Sequence, residues 1–211
     1  MVNRYLGYLL LFIVLFACAK VSLLIEGDGV FVDPRDGEEY PYALIGNQTW
    51  MIRNMNYETG DSWWYSDDES FGKDFGRLYS WQSALKACPN GWHLPTDLEW
   101  KKLEISQGMD IYSADSSDWR RSGAVAIPLK HTAGWFSGGT GTNDSRFTAL
   151  PGGFRSTGEQ FVYKGDIANY WTSSYTSETH AWGRAMIYYE AGVYRWKYDK
   201  EEGFTVRCLE D

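Results

Sequence analysis

The stretch GRLYSWQSALKACPNGWHLPTDLEWKKL, residues 76–103, constrains the fold more than any other part of this chain. Trp81, Ala84, Leu85 and Cys88 fall at i, i+3, i+4 and i+7, the single apolar stripe of a helix with Ser80 as its N-cap. Pro89-Asn90-Gly91 ends that helix, because proline cannot continue it and Asn or Gly tolerates a left-handed turn. Trp92, His93 and Leu94 are too few for another helix and read as a short buried strand. Thr96-Asp97-Leu98-Glu99 is a T-x-x-E capping box that opens a second helix carrying Trp100 and Leu103. Two amphipathic helices need a common cover for their stripes, and the rest of the chain must supply it.

Composition points to sheet as that cover. Aromatic residues make up 17% of the 211, with 11 Trp, 15 Tyr and 22 Gly, a mixture that suits β structure with many turns. The length suits one domain with a sizeable core. A net charge of −8 leaves no basic patch to neutralise phosphates, which argues against nucleic acid and against an anionic membrane surface as partners.

Residues 1–17 read as a targeting segment. Arg4 supplies a positive start, and the apolar run 5–16 is too short for a spanning helix. Leu15-Phe16-Ala17-Cys18 resembles a bacterial lipobox, in which the signal is cut before a cysteine that is then acylated. A lipid on Cys18 would anchor the protein to the bacterial cell envelope, at the outer membrane or cell surface, with the membrane touched through lipid alone. A plain secretory signal is the alternative. Cys88 and Cys208 remain, separated by 120 residues. Outside the cytoplasm a disulfide is the default for such a pair, and two buried free thiols are the other possibility.

Residues 18–31 read as a tether and 32–211 as one domain. Segments 40–45 and 48–52 flank Gly46-Asn47 as a β-hairpin, and Pro41 marks the first strand as an edge. Residues 54–75 form a polar loop with Trp63, Trp64 and Tyr65. In it Asp67, Asp68 and Glu69 are a weak calcium candidate, since they lack the spacing of a loop motif. Residues 108–148 show no clear periodicity and end in a glycine-rich loop holding Trp135 and Phe136. No Gly-Lys-Ser/Thr follows those glycines, so they do not form a phosphate loop. From residue 147 the chain reads as a β-meander with a hairpin link at Glu190-Ala191-Gly192. Tyr194, Trp196 and Tyr198 share one face of a strand, with Val193, Arg195 and Lys197 on the other. Phe204, Val206 and Cys208 point one way on a last strand, so that a Cys88–Cys208 bridge would pin the first helix to the sheet.

With that pairing the layout resembles the C-type lectin-like fold, an α+β arrangement of two helices on twisted antiparallel sheets with a long loop region. DPRDGEEY, IGNQTWMIRNMNY, residues 76–100, FTALPGGFR, YWTSS and GFTVRCLED, in that order, resemble the family known as the Fibrobacter succinogenes major paralogous domain. Members are typically exported, often as lipoproteins, and have no assigned biochemical activity; adhesion is the common supposition. Calcium-dependent lectins of the fold carry Glu-Pro-Asn or Gln-Pro-Asp in the loop and Trp-Asn-Asp on the next strand, whereas this chain reads Trp171-Thr172-Ser173. Gly91-Trp92-His93-Leu94-Pro95-Thr96 is also similar to the signature of formylglycine-generating sulfatase-modifying domains. That oxidase needs two cysteines for copper(I), and Cys88 and Cys208 are already used by the fold. His93, His131 and His180 have no metal-ligand spacing.

The resulting expectation is a non-catalytic exported lipoprotein without a cofactor, binding a polysaccharide or a cell-surface protein. Trp135, Asn143, Asp144, Arg146 and Trp171 are the ligand candidates, tryptophan for stacking and the polar groups for orientation. The alternative is a structural or assembly role in the envelope.

Overall fold

The computed structural model describes residues 27–139 and 141–211. The signal at 1–17, the lipidation site Cys18 and most of the tether lie outside the described residues. The first strand, β1 (Gly29–Val32), begins inside the stretch expected as tether. β2 (Glu39–Ile45) and β3 (Gln48–Met51) form the hairpin expected over Gly46-Asn47, in register Ile45↔Gln48. β2 is not an edge strand, however, because β1 pairs along its other side. Pro41 stands opposite Val30 within the β1–β2 ladder and is accommodated just past the end of the β2–β3 ladder. Its carbonyl accepts from the Ile52 N–H, just past the last residue of β3, where a missing N–H interrupts nothing.

The loop that follows holds β4 (Ser62–Trp63) and one turn of helix, α1 (Gly72–Phe75), before β5 (Leu78–Tyr79). α2 (Trp81–Ala84) is capped by Ser80 as expected but stops after one turn. The chain then tightens, with Lys86 N–H bonding Ser83 and Ala87 N–H bonding Ala84. At three residues per turn, Trp81, Ala84 and Ala87 share the buried side, which is why Leu85 is left exposed. β6 (Trp92–His93) leads to α3 (Asp97–Ser106), whose Thr96–Glu99 capping box is complete. α4 (Ile111–Asp115), β7 (Asp118–Arg120) and α5 (Ala126–Leu129) occupy the stretch without periodicity. β8 (Phe154–Arg155), β9 (Phe161–Val162), β10 (Ile167–Tyr175), β11 (His180–Ile187), β12 (Val193–Asp199) and β13 (Leu209–Glu210) complete the chain.

All pairings between these strands are antiparallel. One sheet has the order β1-β2-β3-β13-β6 and the other β10-β11-β12-β7, with β4-β5 and β8-β9 as small ribbons. Two cores lie on opposite sides of β10. Ala168 and Tyr170 enter the first, with Trp50, Trp100, Leu103 and Phe147. Trp171 enters the second, with Tyr79, Trp81, Phe204 and Cys208. A strand buried on both faces explains the unbroken apolar run of β10. Cys88 and Cys208 are bonded, tying the chain after α2 to the segment that enters β13.

A buried ionic cluster fastens α3 to the four-stranded sheet. Each of three strands contributes one arginine: Arg120 from β7, Arg184 from β11 and Arg195 from β12. Glu104 accepts from both Nη atoms of Arg120 at 2.6 Å and from Arg184 Nε at 2.7 Å. Asp97 accepts from Arg195 Nε and Nη2 at 2.8 Å and pairs with Arg184 and Lys101. Burial alone would push the Asp97 carboxyl up, but the Arg195 hydrogen bonds and the Arg184 charge hold it well below the usual carboxylate range.

Glu202, in the turn after β12, behaves in the opposite way. Burial, with Asp199 second, pushes its carboxyl up to about 7, and its Oε2 has no hydrogen-bond partner among the described residues. The folded chain therefore holds this proton more tightly than the unfolded one. Stability is lost as pH rises from 4.5 toward 7 and levels off above. Glu202→Gln is expected to remove that loss and to gain roughly 1–2 kcal/mol over the wild type at pH 8, after discounting for partial exposure. Denaturant titrations at pH 5 and pH 8 check this; parallel curves for the two proteins would rule it out.

Candidate functional site

The five residues expected around a ligand are held by the fold instead of converging. Trp171 is 0% exposed, stacks on Phe204 at 4.4 Å and donates from Nε1 to the Tyr79 carbonyl. It lies on β10 against the second core, so neither ring face is open. Trp135 is 5% exposed and packs in the first core, with the Lys130 ammonium 5.2 Å from its ring. Asn143 closes its own loop: its Oδ1 accepts from Thr148 N–H at 2.8 Å and its Nδ2 donates to Thr148 Oγ1. Arg146 pairs with Asp28 at 2.5 Å and donates to the Leu44 carbonyl, latching the loop to the start of the described chain. Of the five, only Asp144 is exposed, and it accepts from Thr142 Oγ1. The loop wraps α5, with Thr142, Asn143 and Ser145 N–H groups bonded to carbonyls of Ile127, Lys130 and Pro128. Left-handed backbone at Asn143, Arg146 and Thr148 accompanies this tight path.

The aromatic surface that does face solvent lies on the four-stranded sheet. Strand alternation puts Trp171 of β10, Gly183 and Ala185 of β11, and Tyr194, Trp196 and Tyr198 of β12 on one face. The second core covers only part of it. Tyr198 is still covered, 4.7 Å from the Phe204 ring, and burial pushes its hydroxyl well up. Beyond it the face opens. Trp196 is 38% exposed and lies 5.9 Å from Tyr194 with nearly parallel rings. Tyr194 pairs across the sheet with Trp119 of β7, their rings 5.0 Å apart.

Gly183 makes room for this row, since a Cβ there would stand 2.8 Å from the Tyr198 ring. Arg121 reaches over the Trp119 ring at 5.8 Å while paired to Glu190, which fixes the outer end of the strip. Three rings in a row on a rigid strand pair offer apolar faces and edges with phenol and indole donors, the chemistry that suits a sugar ring. The alternation in β12 was legible in the sequence. That the second core stops short of Trp196 was not.

A second aromatic group, exposed Phe136 and Tyr189 with half-buried Tyr188 between them, sits where the β11–β12 link meets the loop, with ring separations of 5.4 and 4.9 Å. The link runs over residues 188–192, longer than the three-residue turn expected.

Several titratable groups, among them His93 and Asp68 of those singled out by sequence, are occupied by structural partners. His93 lies between Glu99 at 3.2 Å and Asp211 at 2.7 Å, clamping β6 to the capping box and the last residue. Lys130, pushed down to about 8 by burial, donates to the carbonyls of Ile187, Tyr188 and Glu190. Asp68 accepts from Ser70 N–H and caps a short turn, and Asp67 and Glu69 are exposed beside it. Among the described residues no group of three or more His, Cys, Asp or Glu converges on a metal position, and no helix is long and apolar enough to cross a membrane.

The family model described as the Fibrobacter succinogenes major domain matches residues 44–210. No curated protein and no solved structure matches the chain.

Proposed function

This chain belongs to the Fibrobacter succinogenes major domain family, and we propose that it is a non-catalytic exported lipoprotein that binds a glycan through Trp119, Tyr194 and Trp196. The observation that carries the reading is the aromatic row on β12 and β7, exposed at Trp196 and half-buried at Tyr194 and Trp119. A monomer gains nothing in stability from exposing rings that its own core is wide enough to cover elsewhere, and such rings suit a ligand with apolar faces. We place the domain in the C-type lectin-like fold on the strength of its curled antiparallel sheets, its few helices and the bridge from the α2 segment to the last strand. The lipobox at Leu15–Cys18 supports export and anchoring. The non-catalytic reading draws on the engagement of Asp97, Glu104 and Lys130 with structural partners.

Binding is tested with the full chain on insoluble polysaccharides and a glycan array. Trp196→Ala is expected to weaken retention roughly tenfold, the loss of about 1–1.5 kcal/mol of ring contact, with an unchanged melting temperature. Trp135→Ala is expected to lower stability without a specific effect on retention. A wild-type protein retained by no glycan, or a Trp196→Ala protein retained as well as wild type, would sink the proposal. A protein-partner role in the envelope is the second reading, favoured by the separate patch at Phe136, Tyr188 and Tyr189. Mutating that patch, and not the strip, would then abolish binding to the cell surface.

A further inference from the structure

β7 pairs only with Val193, Arg195 and the tyrosine between them. From Trp196 to Asp199 no described strand lies along the outer edge of β12. Trp196 and Lys197 therefore flank an open edge, one on each face. Lys197 pairs across β11 with Trp182, and His180, two residues before Trp182, shares that second face. The β10–β11 turn brings Thr176 and Ser177 beside them. These four residues, Thr176, Ser177, His180 and Lys197, line a depression of about 170 Å³.

The turn is internally fixed. Ser177 Oγ accepts from the N–H groups of Thr179 and His180, Thr176 Oγ1 donates to the His180 carbonyl, and His180 Nδ1 meets Thr179 Oγ1 at 2.8 Å. Lys200 braces it from behind through the carbonyls of Ser177 and Glu178. Lys197 differs from the other cations around it. It is exposed and forms no ion pair among the described residues. Asp199, two residues further along the same strand face, accepts from Glu201 N–H. An unneutralised ammonium beside an imidazole and two hydroxyls is an unusual concavity in a chain of net charge −8, and its donors suit one anionic oxygen group.

We propose that this depression is the anion subsite of the glycan-binding surface, taking the carboxylate or sulfate of an acidic saccharide whose neighbouring ring lies on Trp196. The inference rests on the glycan reading for the polymer, and on the depression alone for the anion. Lys197 supplies the charge-assisted contact, and the His180 ring and the Ser177 hydroxyl orient the oxygens, the Thr176 hydroxyl being committed to the His180 carbonyl.

Affinity electrophoresis of the full chain in gels containing polygalacturonate, or its methyl ester, tests it; dextran sulfate against dextran separates sulfate from carboxylate. The wild type is expected to bind the anionic member of at least one pair roughly tenfold more tightly, a preference that shrinks as salt is raised. Lys197→Ala, at an exposed position, should erase the preference and keep the neutral binding, whereas Trp196→Ala should weaken both. A Lys197→Ala protein that keeps the preference, or a wild type that shows none, overturns the subsite. If no polymer retains the wild type, the glycan reading has failed, and titration with sodium glucuronate and sodium sulfate, followed by the His180 ring resonances, decides the subsite by itself. A shift present in wild type and absent in Lys197→Ala upholds it; no shift in wild type overturns it.

Discussion

Replacing Cys88 and Cys208 together by alanine is expected to lower the stability of the domain by roughly 4–5 kcal/mol. The bridge joins residues 120 apart in sequence, so its loss frees a long loop in the unfolded chain, on the entropic account of such crosslinks. Alanine is the better replacement, because Cys208 is fully buried among Tyr79, Trp171 and Phe204 and a serine hydroxyl there would need a partner. For a domain of this size the change corresponds to a fall in melting temperature of about 10–18 °C. Thermal unfolding of the variant, and of the wild type with and without reductant, measures it. The reduced wild type should melt with the variant. Melting of both within a few degrees of the oxidised wild type would show that the two sheets hold α2 without help.

The second large effect is expected at Glu104. This carboxylate is 0% exposed and, among the described residues, is the only acidic partner of Arg120. It also binds Arg184, so a neutral side chain leaves two guanidinium groups facing each other in the protein interior. Burial already pushes the Arg120 guanidinium down, with Glu104 as the main opposing influence. Glu104→Gln keeps the shape and removes the charge, at a cost of about 3–5 kcal/mol. Lys101→Ala, which touches the same cluster at its wetter end, should cost about 1 kcal/mol or less. Urea titrations of both variants make the comparison, with m-values equal to wild type if the denatured state is unchanged. A midpoint shift for Glu104→Gln no larger than for Lys101→Ala would mean that water enters the cluster and replaces the lost charge.

Local signals in the sequence survived into the structure wherever the physics was local. The Thr96–Glu99 box, the Ser80 cap, the Gly46-Asn47 hairpin and the short Trp92 strand all depend on a few neighbouring residues. The direction of Phe204, Val206 and Cys208 was legible for the same reason, although only Leu209 and Glu210 of that segment are strand. Helix periodicity misled at Leu85, because α2 stops after one turn and tightens. The site was harder to read. Trp171 and Trp196 are both tryptophans on strand faces, and nothing local distinguishes them. What separates them is that the 204–208 segment runs beside β10, bonded to it through Asn169 and Trp171, and its Phe204 ring covers Trp171 and Tyr198 but has no ring contact with Trp196, a long-range fact. The residues 143–146 look polar and free in sequence, yet Asn143 and Arg146 are consumed by the loop itself and by Asp28.

The bridge between Cys88 and Cys208 has a mechanical consequence. β1 is an edge strand, and a pull on Gly27 would peel it from β2 starting at its first residue, with the Arg146–Asp28 pair as the clamp at that end. A load carried on Trp196 reaches the chain's beginning by two covalent routes. One passes through the whole stretch from residue 88 to 196. The other runs back along the short stretch from 208 to 196 and crosses the disulfide. The crosslink makes the second route the taut one. If the N-terminus were anchored and a ligand held on β12, tension between them would bypass α3, the buried ionic cluster and most of the four-stranded sheet. Under such a load the N-terminal strands, which lie outside the bridged loop, would be expected to yield before the bridged part.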